Sequence, residues 1–177
     1  MKKTVKKNDL KSHIRDIPNF PKEGIIFKDI TTLLKDKTAF KKSIDLLAKK
    51  FKDARIAQVV GVEARGFIFG AALAYKLGVG FVPVRKKGKL PGKTKSVTYE
   101  LEYGMDSLEI HEDAIKPKTR VLIVDDLLAT GGTIEAVSKL LREQKAVVAG
   151  IAFLIELQFL NGKEKLKDFD VFSVLKY

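Results

Sequence analysis

Two adjacent carboxylates, Asp125 and Asp126, precede a pair of glycines in the stretch Val121–Thr133, which reads Val-Leu-Ile-Val-Asp-Asp-Leu-Leu-Ala-Thr-Gly-Gly-Thr. The opening Val-Leu-Ile-Val run predicts a strand buried on both faces, and in open α/β sheets ligands bind beyond the carboxyl ends of such strands. Gly131 and Gly132 permit backbone conformations closed to other residues, so their amides can crowd an anion. A helix expected from Thr133 to about Glu143 turns the positive end of its dipole toward the same point. Ala129 and Thr130 lead into the glycines, and the hydroxyls of Thr130 and Thr133 add donors, which gives a phosphomonoester a cradle that needs no lysine. A phosphate held there places its sugar hydroxyls near Asp125 and Asp126, acceptors facing a diol. A helix-capping loop after an ordinary strand would use some of the same residues. Adjacent acids at the end of a buried run favour the ligand site.

Other chemistries fit poorly. Neither Gly-x-x-x-x-Gly-Lys nor Gly-x-Gly-x-x-Gly occurs, which disfavours a nucleoside triphosphatase and a dinucleotide site. The chain has no cysteine, so disulfides, thiolate zinc and a cysteine nucleophile are excluded, and a reducing, cytoplasmic setting is expected. His13 and His111 lack metal-ligand spacing, and no Gly-x-Ser-x-Gly elbow is present. With 34 Lys and Arg against 22 Asp and Glu, the net charge of +12 suits phosphate-bearing ligands, nucleic acid or acidic membrane surfaces without choosing among them. Many of the lysines fall in Met1–Lys11 or on helix faces, as at Lys41, Lys42, Lys49 and Lys50, where solvation accounts for them.

The elements that must position the acids follow from hydrophobic period and breakers. Lysines at 2, 3, 6 and 7 leave no apolar signal core, so export is not expected. Ile14–Pro21 contains Pro18 and Pro21 and reads as an extended arm. Gly24–Ile30 reads as a short strand or lid element outside the main sheet. A helix follows, with Thr38 as its expected cap and Phe40, Ile44, Leu47 and Phe51 on its buried face. Strand Ile56–Val62, helix Phe67–Leu77 closed by Gly78, and strand Phe81–Val84 form a βαβ pattern. The apolar stretch Gly66–Val84 carries only Lys76 as a charge and approaches a membrane span in length. Gly78, Gly80 and Pro83 divide it into helix, turn and strand, so no membrane association is expected. A basic connection, Lys86–Lys95, leads to alternating runs Val97–Leu101 and Ser107–His111, a flexible hairpin or flap. Val147–Leu157 continues the sheet and Phe169–Val174 adds an edge strand.

The run Val121–Thr133 resembles the phosphoribosyl-diphosphate motif of type I phosphoribosyltransferases. Further segments resemble the adenine branch of that family: Ile17-Pro18-Asn19-Phe20-Pro21, Gly24–Thr31, Glu63-Ala64-Arg65-Gly66-Phe67, Arg85–Gly92 and Tyr99–Gly104. The resemblance runs from about Arg15 to Tyr177. It implies a single α/β domain with a central, mainly parallel sheet flanked by helices, a small N-terminal hood at about residues 12–36 and a flexible β flap at about 86–111.

It also implies transfer of phosphoribosyl from 5-phosphoribosyl 1-diphosphate to adenine, giving AMP and diphosphate in purine salvage. Mg2+ is then held through substrate oxygens and water rather than by direct protein ligands. Asp125, Asp126, Ala129, Thr130, Gly131, Gly132, Thr133, Arg65, Arg85 and Lys86 would contact the donor or AMP. Ile26, Phe27, Lys28 and Leu157 would contact adenine; for Ile26 and Phe27, periodicity alone favours core packing. Many relatives carry arginine where Lys28 stands, so a contact needing a planar fork would be weaker here. Glu102 and Arg65 are the candidate catalytic residues and Tyr103 a lid residue, although Glu100 and Glu102 also fit the polar positions of an alternating strand. The resemblance further implies a homodimer and no nucleic-acid partner. Two competing functions are an enzyme for another purine and a ligand-sensing, nucleic-acid-binding regulator on the same fold.

Overall fold

A computed structural model describes residues 7–101 and 104–177, so Glu102 and Tyr103 lie outside the described residues. The chain divides into two compact units, one ending at Leu46 and the other running from Leu47 to Tyr177.

In the first unit, β1 (Arg15–Pro18) and β2 (Ile26–Asp29) pair antiparallel as a separate two-stranded ribbon. The arm and the short strand expected outside the main sheet are thus one hairpin. Phe20 stacks edge-on against Phe27 with ring centroids 5.1 Å apart, closing the loop between the strands. Asp29 ties the ribbon to the following turn: it accepts from Arg15 Nε at 3.0 Å and from the Thr31 amide and hydroxyl, each at 2.9 Å. A one-turn helix, α1 (Thr31–Leu34), then leads to α2 (Lys37–Phe51). Thr38 does not cap α2, as its sequence position suggested, because it lies inside the helix. Asp36 does so instead, its Oδ1 accepting the amides of Thr38 at 2.9 Å and Ala39 at 2.8 Å. Ile44, Leu47 and Phe51 are buried as the period requires, and Phe40 is half-buried.

The second unit is built on a sheet of seven strands. In chain order its elements are β3 (Gln58–Val62), α3 (Gly66–Leu77), β4 (Gly80–Lys86), β5 (Thr94–Leu101), β6 (Gly104–His111), β7 (Arg120–Leu128), α4 (Gly132–Glu143), β8 (Val147–Glu156) and β9 (Val171–Lys176). Across the sheet the order is β5-β6-β4-β3-β7-β8-β9, with β4-β3-β7-β8-β9 parallel and the flap hairpin β5-β6 antiparallel. Gly78, in the left-handed region at φ 69°, ends α3 where its place after Leu77 indicated. The β3-α3-β4 and β7-α4-β8 crossovers leave their neighbouring starting strands in opposite directions. Right-handed crossovers then put α3 and α4 on opposite faces and open a crevice beyond the carboxyl ends of β3 and β7.

The core behind that crevice is apolar. Val60, Val62, Val84, Ile123, Val137, Leu140, Leu141, Ile151 and Phe153 are essentially inaccessible, and a buried side chain of this kind contributes about 1.5–3 kcal/mol. No helix among the described residues is long and apolar enough to cross a membrane.

One boundary differs from the sequence expectation in a way that matters. β7 does not stop at Val124; it continues through Asp125 and Asp126 to Leu128, because Leu127 and Leu128 still pair with Ile155 and Glu156 of β8. The acids therefore sit within the carboxyl-terminal part of β7, paired with β8, and the loop shrinks to Ala129, Thr130 and Gly131.

Candidate active site

The crevice is assembled from the carboxyl ends of β3 and β7. After β7, Gly131 adopts φ 83° as the residue before α4, which lets the chain reverse into the helix without strain. The first amides of α4, from Gly132 onward, have no acceptor within the helix and point outward with its positive end. Asp125, Leu127, Leu128 and residues 129–134 line a cavity of about 70 Å3 at this point. All five residues of the expected cradle, Ala129, Thr130, Gly131, Gly132 and Thr133, are therefore brought together with Asp125.

After β3, the chain turns through Glu63 and Arg65 into α3. Gly66 makes this approach possible: a Cβ there would lie 2.8 Å from Asp125 Oδ1 and 2.9 Å from the Val124 carbonyl oxygen. The start of α3 thus rests on β7, and Arg65 Nε comes 2.9 Å from Asp126 Oδ2 as a charge contact without hydrogen-bond alignment. Asp126 is buried, while Arg65 keeps about a third of its side chain in solvent.

The acids carry an unusual electrostatic load. Burial, and then the neighbouring charge of Asp126, push the Asp125 carboxyl well above the usual aspartate range. Burial also raises Asp126, with Arg65 pulling it part of the way back. Asp125 Oδ1 accepts the Asp126 amide at 2.8 Å. Like charges held this close, with pKa values raised by desolvation, make the pair a candidate site for hydrogen-bond donors of a ligand.

The basic turn behaves differently. Arg85 places Nε 3.2 Å and Nη2 2.8 Å from the Glu63 carboxylate, and its Nη1 donates to the Lys89 carbonyl at 2.9 Å. Glu63 also accepts the Lys86 amide at 3.0 Å, and the Arg85 bond holds its carboxyl below the usual range. Lys86 Nζ lies 3.2 Å from Asp106 Oδ2 on the facing flap strand. Glu109, buried at the flap base, accepts the amides of Lys89 and Leu90 at 3.1 and 2.8 Å and shapes the turn. Higher on the flap, Thr133 Oγ1 donates to the Tyr99 hydroxyl at 3.5 Å, which joins β5 to the cradle.

Of the expected adenine contacts, Ile26 is exposed and Phe27 half-buried, so Ile26 is not a core residue of its unit. Lys28 Nζ is 2.8 Å from Asp16 Oδ1. Leu157, half-buried, donates its amide to the Leu128 carbonyl at 2.9 Å. The candidates Glu102 and Tyr103 fall outside the described residues. No group of three or more acidic or histidine side chains that could hold a metal occurs among the described residues.

Comparison with known proteins fits this geometry. The family model of the phosphoribosyl transferase domain matches residues 29–177. The adenine phosphoribosyltransferase of Acidobacterium capsulatum is 61% identical over 168 residues, 95% of this chain and 93% of that protein. The chain belongs to the adenine phosphoribosyltransferase family. The crystal structure of the adenine phosphoribosyltransferase from Thermoanaerobacter pseudethanolicus is similar, with a TM-score of 0.94 and 56% identity, covering 97% of this chain and 100% of that one. That of the Saccharomyces cerevisiae adenine phosphoribosyltransferase, complexed with an imino-altritol bisphosphate and adenine, has a TM-score of 0.90 and 44% identity, covering 96% and 98%.

Sequence reasoning about this adenine phosphoribosyltransferase site did not anticipate the Glu63–Arg85 pair or the tight approach at Gly66. The first needs a contact between strands that only the parallel register of β3 and β4 brings together, and the second depends on the approach of α3 to β7.

Proposed function

We propose that this chain catalyses the reaction of its family, joining adenine to 5-phosphoribosyl 1-diphosphate to give AMP and diphosphate. The observation that carries the assignment to particular atoms is the amide cradle at Ala129–Thr133, set beside the raised-pKa pair Asp125 and Asp126. The cradle amides hold the 5-phosphate, and Asp125, which lines the same cavity, accepts from the ribose hydroxyls. Asp126 shares that task and keeps Arg65 aimed at the departing diphosphate. Lys86, more than half exposed, can exchange Asp106 for the diphosphate, whereas Arg85 serves by fixing the turn through Glu63.

In the reaction the bond from the anomeric carbon to the diphosphate oxygen breaks, its electron pair leaving with the diphosphate. Adenine N9 forms the new bond from the opposite face, and the proton it loses is taken by Glu102 once the flap excludes water. Ile26, Phe27, Lys28 and Leu157 are assigned to the base, and the exposure of Ile26 supports its part in this. The carboxylates present are hard oxygen donors suited to Mg2+ held through its waters. Mg2+, when bound there, would neutralise the charge of the departing diphosphate.

The enzyme works as a cytoplasmic homodimer. Support for the dimer comes from α3, whose outer face carries exposed Ile68 and Tyr75, the latter 91% accessible.

The deciding experiment incubates the protein with a panel of purines, 5-phosphoribosyl 1-diphosphate and Mg2+. AMP and diphosphate should form with adenine and vanish with a chelator. Preference for hypoxanthine or guanine, or salt-sensitive nucleic-acid binding without AMP, would overturn the reading. Unchanged turnover in Glu102→Leu would remove the proton-transfer assignment.

A further inference from the structure

We infer that Gly162, which belongs to none of the motifs above, is a positioning residue that sets the phosphate cradle from behind; this rests on reading Ala129–Thr133 as that cradle. After β8 the chain does not run directly to β9. The Leu157 amide bonds the Leu128 carbonyl at 2.9 Å, Asn161 takes a left-handed turn at φ 52°, and Gly162–Leu166 forms a short helical turn whose Leu166 is fully buried. Lys163 anchors the same turn through its contact with buried Glu156 at 3.2 Å.

This bracket meets the cradle backbone to backbone. A Cβ on Gly162 would lie 2.1 Å from the Ala129 carbonyl oxygen and 3.0 Å from Leu128 Cδ1. In return, a Cβ on Gly131 would lie 2.5 Å from the Gly162 carbonyl oxygen. Each glycine leaves room that the other's neighbourhood fills. The atoms in the way are peptide carbonyls, which cannot rotate aside as a side-chain tip can. Gly162 is absent from the residues with positive φ, so glycine stands there for space rather than for conformation. The loop that aims the phosphate amides is therefore held by a second stretch of backbone, and its geometry is set before any ligand arrives.

An alanine at residue 162 must push Ala129 away, and a displacement on the order of 1 Å in a positioning element costs about 100-fold in rate. The test uses the full chain with Gly162→Ala, and Gly78→Ala as comparator, because Gly78 has open space around it and ends a helix away from the cradle. Gly162→Ala should lower kcat/KM for 5-phosphoribosyl 1-diphosphate by about 100-fold while KM for adenine is unchanged. Gly78→Ala should lower only Tm. A wild-type donor constant in Gly162→Ala overturns the inference, as does a rise in KM for adenine as large as the change toward the donor.

Should Gly162→Ala not fold, the wild-type protein answers. Titration with ribose 5-phosphate, followed by 15N amide resonances, should move Gly162 together with Gly131 and Gly132 at one midpoint. Movement of Gly131 and Gly132 with Gly162 still overturns the bracket alone. Stillness of all three removes the cradle reading, and this inference with it.

Discussion

Asp29 in the first unit and the Asp125–Asp126 pair in the second are acids with opposite fates, Asp29 and Asp126 buried and Asp125 half-buried. Asp29 receives the Thr31 amide, the Arg15 guanidinium and the Thr31 hydroxyl, and these donors lower its pKa to about 2. Asp125 has burial and a second negative charge around it, and its pKa goes up. The first acid is satisfied and belongs to the frame; Glu63 and Glu109, each fed by amides or an arginine, follow the same pattern. The second keeps its raised pKa in the folded chain, a cost to stability that makes the pair a candidate ligand site. Burial alone does not mark a functional acid. A raised pKa beside a cavity marks a candidate.

That contrast can be broken in several ways, beginning with the largest effect. Gly131→Ala adds a Cβ at φ 83° and into the Gly162 carbonyl, so kcat/KM for the donor should fall by about 100-fold or more. A value near wild type in steady-state assays would separate the cradle from catalysis. Asp125→Asn removes a charged acceptor and should lower the same constant by about 10- to 100-fold. Its Tm should hold or rise, since a buried like-charge repulsion disappears. A fall in Tm with intact kinetics would make Asp125 a frame residue like Asp29.

The pH dependence sharpens the comparison because the two acids run in opposite directions. The pair's folded pKa lies above the unfolded value of 3.8, so the folded state holds protons longer. Its unfavourable contribution grows as pH rises from that value through the raised one. Donor binding needs the ionised acceptors, so kcat/KM should decline on the acid side at a pH above the ordinary aspartate range, and Asp126→Asn should move that limb to lower pH. For Asp29 the contribution is full above 3.8 and is lost as pH falls toward about 2. Asp29→Asn, the smallest of these effects, should lower Tm at neutral pH by about 3–6 °C with the donor constant unchanged. The difference from wild type should close as pH falls through that window.

Much of this was legible in the residues. The period-two and period-3.6 patterns, Gly78 and the Pro18–Pro21 arm mark local preferences, and local preference decides those elements. The loop at Ala129–Thr133 was legible because it is built from consecutive residues. What escaped was tertiary. Asp36 outcompetes Thr38 as a cap because its carboxylate reaches two amides, which spacing alone does not rank. β7 reaches Leu128 because β8 pairs with it there, although Asp125 and Asp126 are poor strand formers. The pairing of Arg85 with Glu63 was not legible, because only the parallel register of β3 and β4 brings the two together. Gly162 has no sequence signal at all, since its reason is the empty space it leaves to Ala129.

The central claim is that the amides of Gly131, Gly132 and Thr133 hold the 5-phosphate while Asp125 and Asp126 hold the ribose. A crystal structure of the protein with AMP tests it directly. The account predicts phosphate oxygens within hydrogen-bond distance of those amides and the ribose hydroxyls on the two carboxylates. Phosphate bound elsewhere, with the cavity at residues 129–134 left to solvent, would contradict it.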